Sequence, residues 1–186
     1  KKGYRGKRIA TDMHLTNDQL KKVKKYLPRT KFINISSACE KMRIIKTKEE
    51  IALTQRAYRY FDKIHSFARD YILERGTSTT DFEIGQALQT YGINLLMKDI
   101  YHDGKPHNAV GMLVTSEYVR AGVSTAYPHP NQLFYNRVKK GEAVYVNTDI
   151  KIGGCGGEGY RNYQINPVST FQDKMWSVVA ETVQIM

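Results

Sequence analysis

The sequence predicts an α+β fold, and three observations carry that expectation. Two long helical periodicities occupy residues 47 to 96. A series of short segments with strand-like alternation follows between residues 109 and 168, and helical spacing returns around Trp176. Helices, strands and a further helix that come in blocks argue against strict β-α-β alternation.

Taken in order, Thr16-Asn17-Asp18-Gln19-Leu20 opens with capping residues and leads into an amphipathic helix to Tyr26, which Pro28 closes. Lys31 to Ile35 alternates as a strand does, and Ser36 to Met42 reads as a linker. Thr47 begins a long helix with Glu49 and Glu50 in its first turn, where carboxylates meet the positive end of the helix dipole. Its expected buried stripe is Ile51, Ala57, Phe61, Ile64, Ala68 and Ile72, and Gly76 ends it. Thr79-Thr80-Asp81-Phe82-Glu83 is a second capping pattern, and Ile84, Ala87, Leu88 and Tyr91 continue it as a helix to about Leu96.

Residues 109–115, 143–152 and 160–168 read as strands. Gly153-Gly154-Cys155-Gly156-Gly157 is a permissive turn that joins the last two into an antiparallel hairpin, with 143–152 expected to pair with 157–166. The chain opens at Lys1 rather than Met and stops within the apolar pattern Trp176, Val179, Ala180, Val183, so the expectation is a fragment.

Composition narrows the function classes. With 186 residues, 41% hydrophobic and 25% charged, the chain can bury a core of ordinary globular kind. No stretch reaches the ~18 apolar residues of a membrane span, and Lys-Lys-Gly-Tyr-Arg at the start lacks a signal-peptide core. The expectation is a cytoplasmic protein with no membrane partner. Cys39 and Cys155 have no CxxC spacing and read as free thiols. Of the net charge of +11, an excess of nine falls in residues 1 to 31. Lys21, Lys22, Lys24 and Lys25 there read as the solvated face of a helix whose apolar side is Leu20, Val23 and Leu27, so nucleic acid is not the expected partner.

Three further patterns, in order and at matching separations, carry a resemblance. Met42-Arg43-Ile44-Ile45-Lys46-Thr47-Lys48-Glu49-Glu50-Ile51 is similar to the Arg-x-x-Lys-[Ser/Thr]-x-x-Glu-[Ile/Leu] junction that opens the catalytic domain of aminopeptidase P, prolidase and creatinase. Ala126-Tyr127-Pro128-His129 resembles the Pro-His segment whose histidine faces the substrate. Gly141-Glu142-Ala143-Val144-Tyr145-Val146-Asn147, then Glu158-Gly159-Tyr160-Arg161, resembles a strand with a metal-binding Asp six residues after its Gly. In that pattern a second Asp follows eleven residues on, and Arg or Lys three after it. Residues 43 to 186 thus resemble the pita-bread superfamily of creatinase, aminopeptidase P, prolidase and methionine aminopeptidase, as an Xaa-Pro peptidase-like member.

That resemblance implies that residues 43–186 are the first half of a pita-bread catalytic domain, with two helices, antiparallel strands and a helix. Residues 1–42 would be the end of an α/β N-terminal creatinase-like domain and its linker. It implies a metal-dependent hydrolase of Xaa-Pro aminopeptidase or dipeptidase type, a peptide or small-molecule substrate, and a homodimer. The cofactor would be a divalent metal, Mn, Co or Zn, which suits anionic oxygen and imidazole ligands, activates water and clamps the oxygens of a reacting carbonyl.

His129 would be the catalytic, substrate-orienting residue. The metal positions would be Asn147 and Glu158, with Asp149 on the same strand face as Asn147 by the period of two. Here the sequence departs from the pattern. Asn147 offers a neutral amide where the first Asp belongs, and Glu158 adds a methylene to the second. Asn147-Thr148-Asp149 resembles the Asp-Thr-Asp of the superfamily's dimethylsulfoniopropionate lyases with its first Asp changed. The remaining ligands, a His and two Glu, would lie beyond Met186.

Altered chemistry therefore stays open: a creatinase-like C–N hydrolase needing no metal, or a sulfonium lyase. So does a non-catalytic binding module that uses basic residues 1 to 31 and shows steep salt dependence. Arg161 reads equally as an exposed strand residue or as support for the carboxylates. Tyr101, His102, Asp103 and His107 read as a loop over the site, because their spacing makes a poor chelate.

Overall fold

A computed structural model describes residues 8–102, 105–106, 112–115, 118–127 and 134–185, of which 100–102, 105–106 and 112–115 are described by backbone alone. The chain divides into two compact units, Lys1–Lys48 and Glu49–Met186.

In the first unit, strand β1 (Arg8–Thr11), helix α1 (Asn17–Tyr26) and strand β2 (Lys31–Asn34) form a β-α-β unit, followed by helix α2 (Ser36–Ile44). The two strands are parallel, in register from Arg8 opposite Lys31 to Thr11 opposite Asn34. A complete capping box starts α1: the Thr16 hydroxyl accepts from the Gln19 N–H at 3.3 Å, and the Gln19 side chain accepts from the Thr16 N–H at 2.8 Å. Leu20, Val23 and Leu27 are half-buried while Lys21, Lys22, Lys24 and Lys25 are exposed, as a solvated face requires.

Two features of this unit depart from expectation. Residues 36–44 are helix rather than linker, started by the Asn34 carboxamide oxygen, which accepts from the Ser36 N–H at 2.8 Å. No residue of α2 is buried, so it carries no apolar stripe to announce it. Strand β1 is four residues long, too short for alternation to mark, and it exists through its pairing with β2.

The second unit begins with α3 (Lys48–Arg75), a short 3-10 turn (Gly76–Ser78) and α4 (Asp81–Ile100). Strands β3 (Tyr101–His102) and β4 (Lys105–Pro106) make a small antiparallel pair, and the main sheet contains β5 (Met112–Thr115), β6 (Val119–Ala121), β7 (Ala143–Ile152) and β8 (Cys155–Gln164). β7 is central: β5 and β6 pair with successive stretches of it on one side and β8 on the other, all antiparallel. Helix α5 (Thr170–Ile185) follows, with no buried residue. Mixed helix and antiparallel sheet is the α+β class expected from the sequence.

The buried positions of α3 are Ala57, Tyr60, Phe61, Ile64, His65, Ala68 and Ile72, spaced by three and four residues along one stripe. Ile51 is exposed, because burial on α3 starts only at Ala57. The stripe packs with Ile84, Leu88 and Leu96 of α4, and with Val144, Val146, Ile150 and Ile152 of β7, into one core. The chain enters α4 through a second capping box, with the Thr80 hydroxyl accepting from the Glu83 N–H and the Glu83 carboxylate accepting from the Thr80 N–H at 2.8 Å. The Thr80 N–H, with the Thr79 hydroxyl, holds the Glu83 carboxyl below its usual range.

The hairpin exists, with its second strand placed earlier than expected. β8 starts at Cys155 and ends at Gln164, and the turn is only Gly153-Gly154. Both turn residues have positive φ, 58° and 78°, the backbone that a two-residue hairpin turn of the primed type demands. Gly157 and Gly159 of β8 serve packing against α3. A Cβ on Gly159 would lie 2.0 Å from Phe61 Cε2, so α3 can rest on β8 only because that strand lacks side chains there.

Candidate functional site

Period-two alternation gives the hairpin two different faces. Val144, Val146, Thr148, Ile150 and Ile152 of β7 are all buried, the four aliphatic ones in the core. In antiparallel pairing, directly opposed residues share a face. Gly157, Gly159, Arg161 and Tyr163 of β8 therefore lie on that face too, opposite Ile150, Thr148, Val146 and Val144. Tyr145, Asn147, Asp149 and Lys151 occupy the other face, and Asn162, Tyr160, Glu158 and Gly156 oppose them there.

Asn147, Asp149 and Glu158 thus come together on one face, with Glu158 directly opposite Asp149 and Tyr160 opposite Asn147. Asn147 is buried, at 4% exposure. Asn147 Oδ1 and Asp149 Oδ1 are both buried without a hydrogen-bond partner among the described residues. Two buried acceptors on one strand face mark a place where a donor or cation is wanted. The second oxygen of Asp149 is already engaged: Lys151 Nζ donates to Oδ2 at 2.7 Å. Glu158, at the hairpin's exposed end, accepts from the Tyr160 hydroxyl. Donation to that carboxylate favours the neutral phenol and pushes the Tyr160 pKa up to about 12.

Beside these residues runs an aromatic row that sequence reasoning did not single out. Tyr145 stacks on Tyr160 with ring centroids 5.6 Å apart. Arg120, opposite Tyr145 on β6, places its guanidinium 5.3 Å from the Tyr145 ring centroid. Arg120 is buried, which lowers its pKa, and it donates to the Tyr127 carbonyl at 2.6 Å. A lone Arg in a Tyr-Val-Arg-Ala strand gives no signal in the sequence, because only the register brings it over Tyr145.

A second polar cluster anchors the end of β6, the strand that carries Arg120. The wholly buried Asp81 accepts from the Asn136 N–H at 2.7 Å, the Asn136 side chain at 2.9 Å, the Ala121 N–H at 3.2 Å and the Phe82 N–H at 2.9 Å. Asn136 also donates to the buried Ser124 hydroxyl at 3.1 Å. Four donors on one carboxylate tie the start of α4, the end of β6 and residue 136 together.

His129, Asp103 and His107 lie outside the described residues, and the side chain of His102 is likewise outside them. Arg161 does not support the carboxylates. It lies on the face opposite Glu158, with its guanidinium 5.2 Å from the Phe61 ring centroid.

The residues present can be tested against a two-metal centre. Among the described residues, no group of three or more His, Cys, Asp and Glu could hold a metal ion. The hairpin offers one amide oxygen, one carboxylate compensated by an ammonium and one carboxylate bonded to a phenol. Two divalent cations need several uncompensated anionic ligands, so the described residues of this hairpin do not by themselves make a dinuclear metal centre.

No family model matches the sequence, and no curated protein matches it. Solved structures do. The chain is 19% identical to an X-Pro aminopeptidase from Thermotoga maritima, with a TM-score of 0.70 over 94% of this chain and 45% of that one. It is 18% identical to a prolidase from Pyrococcus horikoshii, with a TM-score of 0.71 over 94% of this chain and 46% of that one. Against aminopeptidase P from E. coli, identity is 16% and the TM-score is 0.68, covering 96% of this chain and 40% of that one. At these identities the likeness is one of fold, and the chain spans less than half the length of each structure. Its fold is that of part of a pita-bread domain.

Proposed function

We propose that the protein is a hydrolase of Xaa-Pro aminopeptidase or dipeptidase type, with a metal site that is degenerate on the β7–β8 hairpin. The observation that best supports this reading is the meeting of Asn147, Asp149 and Glu158 on one hairpin face, in a chain whose fold matches X-Pro aminopeptidase and prolidase structures. The hairpin is one wall of the site, and His129 orients the substrate from the Pro128-His129-Pro130 segment. Asn147 Oδ1 and Asp149 Oδ1, as acceptors awaiting a donor, suit the α-ammonium of a peptide's first residue. The proposal includes a homodimer in the cytoplasm, which sedimentation and fractionation would check. No described helix is long and apolar enough to cross a membrane.

The test is hydrolysis of Ala-Pro and of longer Ala-Pro-started peptides by the protein as its cell produces it, with Mn2+ or Co2+ added and after chelation. Cleavage that requires proline at the second position supports the reading. No cleavage under either condition overturns it. A second reading, creatinase-like C–N hydrolysis without metal, is favoured by the neutral Asn147 and by the ammonium on Asp149. Its mark would be full activity of chelated protein on a non-peptide C–N substrate.

A further inference from the structure

The misfit between the hairpin and a metal centre has a local cause in one side chain. Lys151 follows Asp149 by two residues on the same strand face, and its ammonium reaches back to Asp149 Oδ2 at 2.7 Å. Asp149 is 13% exposed and Lys151 43%, so the carboxylate lies in the wall while the lysine crosses its open side. Asn147, the next inward position on this face, is buried and carries no charge, although its orphaned oxygen sits where a cation would be welcome. The net result is one half-buried carboxylate matched by one tethered cation, with the exposed Glu158 opposite it.

We propose that Lys151 takes the place of a metal ion at this hairpin: its ammonium is a built-in cation that neutralises Asp149 and leaves the pair Asn147 and Asp149 without affinity for divalent metal. This deepens the reading of β7–β8 as the equivalent of a metal-bearing hairpin and rests on it. The physics is direct. A divalent ion and an ammonium compete for the same carboxylate, and the ammonium, being covalently attached, is always present. Removing it frees the whole Asp149 carboxylate beside the unpartnered oxygen of Asn147, and hard cations prefer such oxygen sets.

The test is Mn2+ titration of the chain by calorimetry, comparing the wild type with Lys151→Met, Lys151→Arg and the double variant Lys151→Met with Asp149→Asn. Wild type and Lys151→Arg are expected to bind Mn2+ only weakly. Lys151→Met is expected to bind it at least about tenfold more tightly, since an unscreened unit charge a few ångströms away contributes more than the 1.4 kcal/mol that tenfold represents. The double variant should lose that gain. If Lys151→Met does not fold, added Mn2+ should restore its melting transition, because the two cations are then interchangeable.

Wild-type affinity equal to that of Lys151→Met would overturn the proposal. So would an unfolded Lys151→Met that Mn2+ does not restore, tight binding by Lys151→Arg, or a gain that survives Asp149→Asn. Peptide hydrolysis is not read in this experiment. Its absence would sink the activity reading alone, while an absent gain of metal binding would sink this one alone.

Discussion

On the face of the β7–β8 hairpin turned toward α3, buried Val144, Val146, Thr148 and Ile150 of one strand meet Tyr163, Arg161, Gly159 and Gly157 of the other. The opposite face of the same two strands carries Tyr145, Asn147, Asp149, Lys151, Glu158, Tyr160 and Asn162. The strands share one set of backbone hydrogen bonds, so the ladder itself cannot distinguish the faces. The side chains do. The α3 face buries apolar surface, whereas the other leaves two buried oxygens without partners among the described residues and ties one oxygen of Asp149 to a lysine and one of Glu158 to a tyrosine. Alternation thus lets one element hold the fold with half its residues and carry chemistry with the rest.

On that division, the largest losses of stability come from the α3 face. Ile64→Ala removes a side chain with 0% exposure from the centre of the stripe and should cost about 4 kcal/mol, measured by urea unfolding. A loss below about 1 kcal/mol would mean that α3 does not pack on the sheet as described.

Acid should act through the same face. His65 is buried on α3 beside Phe61, 4.1 Å between ring centroids, and burial, with the Arg161 charge second, holds its pKa down to about 4 from an ordinary 6.5. The folded protein keeps His65 neutral while the unfolded chain takes up a proton. The full stability is therefore present above pH 6.5 and falls as pH drops from 6.5 toward 4, by about 3 kcal/mol in total. Unfolding curves across that window should slope for the wild type and flatten for His65→Leu, and an equal slope in both would exclude His65 as the cause.

Gly159→Ala sharpens the comparison from the strand side. Its Cβ would meet Phe61, and overpacking of this kind should cost about 2 kcal/mol. Shortening the partner should recover part of the loss, so Gly159→Ala combined with Phe61→Leu should be less unstable than the sum of the single changes. Strict additivity would show that the glycine has another reason to be there.

The smallest effect belongs to the other face. Asn147→Ala deletes a buried carboxamide whose oxygen has no partner among the described residues, and should change stability by less than about 1 kcal/mol. Asn147→Asp should be the more informative change, raising Mn2+ affinity if position 147 is a ligand position. A cost for Asn147→Ala comparable to that of Ile64→Ala would erase the distinction between the faces.

The sequence by itself determined the elements whose signals are local. Capping patterns at Thr16 and Thr80 placed two helix starts, and the Ala57-Phe61-Ile64-Ala68-Ile72 spacing marked the buried face of α3. The separation of Asn147 from Glu158 put both near a hairpin, since capping, periodicity and turn chemistry act between near neighbours. Tertiary structure alone decided the rest. The register of β8 decided that the glycines after the turn serve as a bed for α3 and that Arg161 turns away from the carboxylates. It likewise brought Arg120 over Tyr145. Strand β1 and helix α2 had too little local signal to be read at all. The reason is common to these cases: a strand's partner and the helix that covers it are distant in sequence, and a shift of one residue exchanges every side chain between the faces.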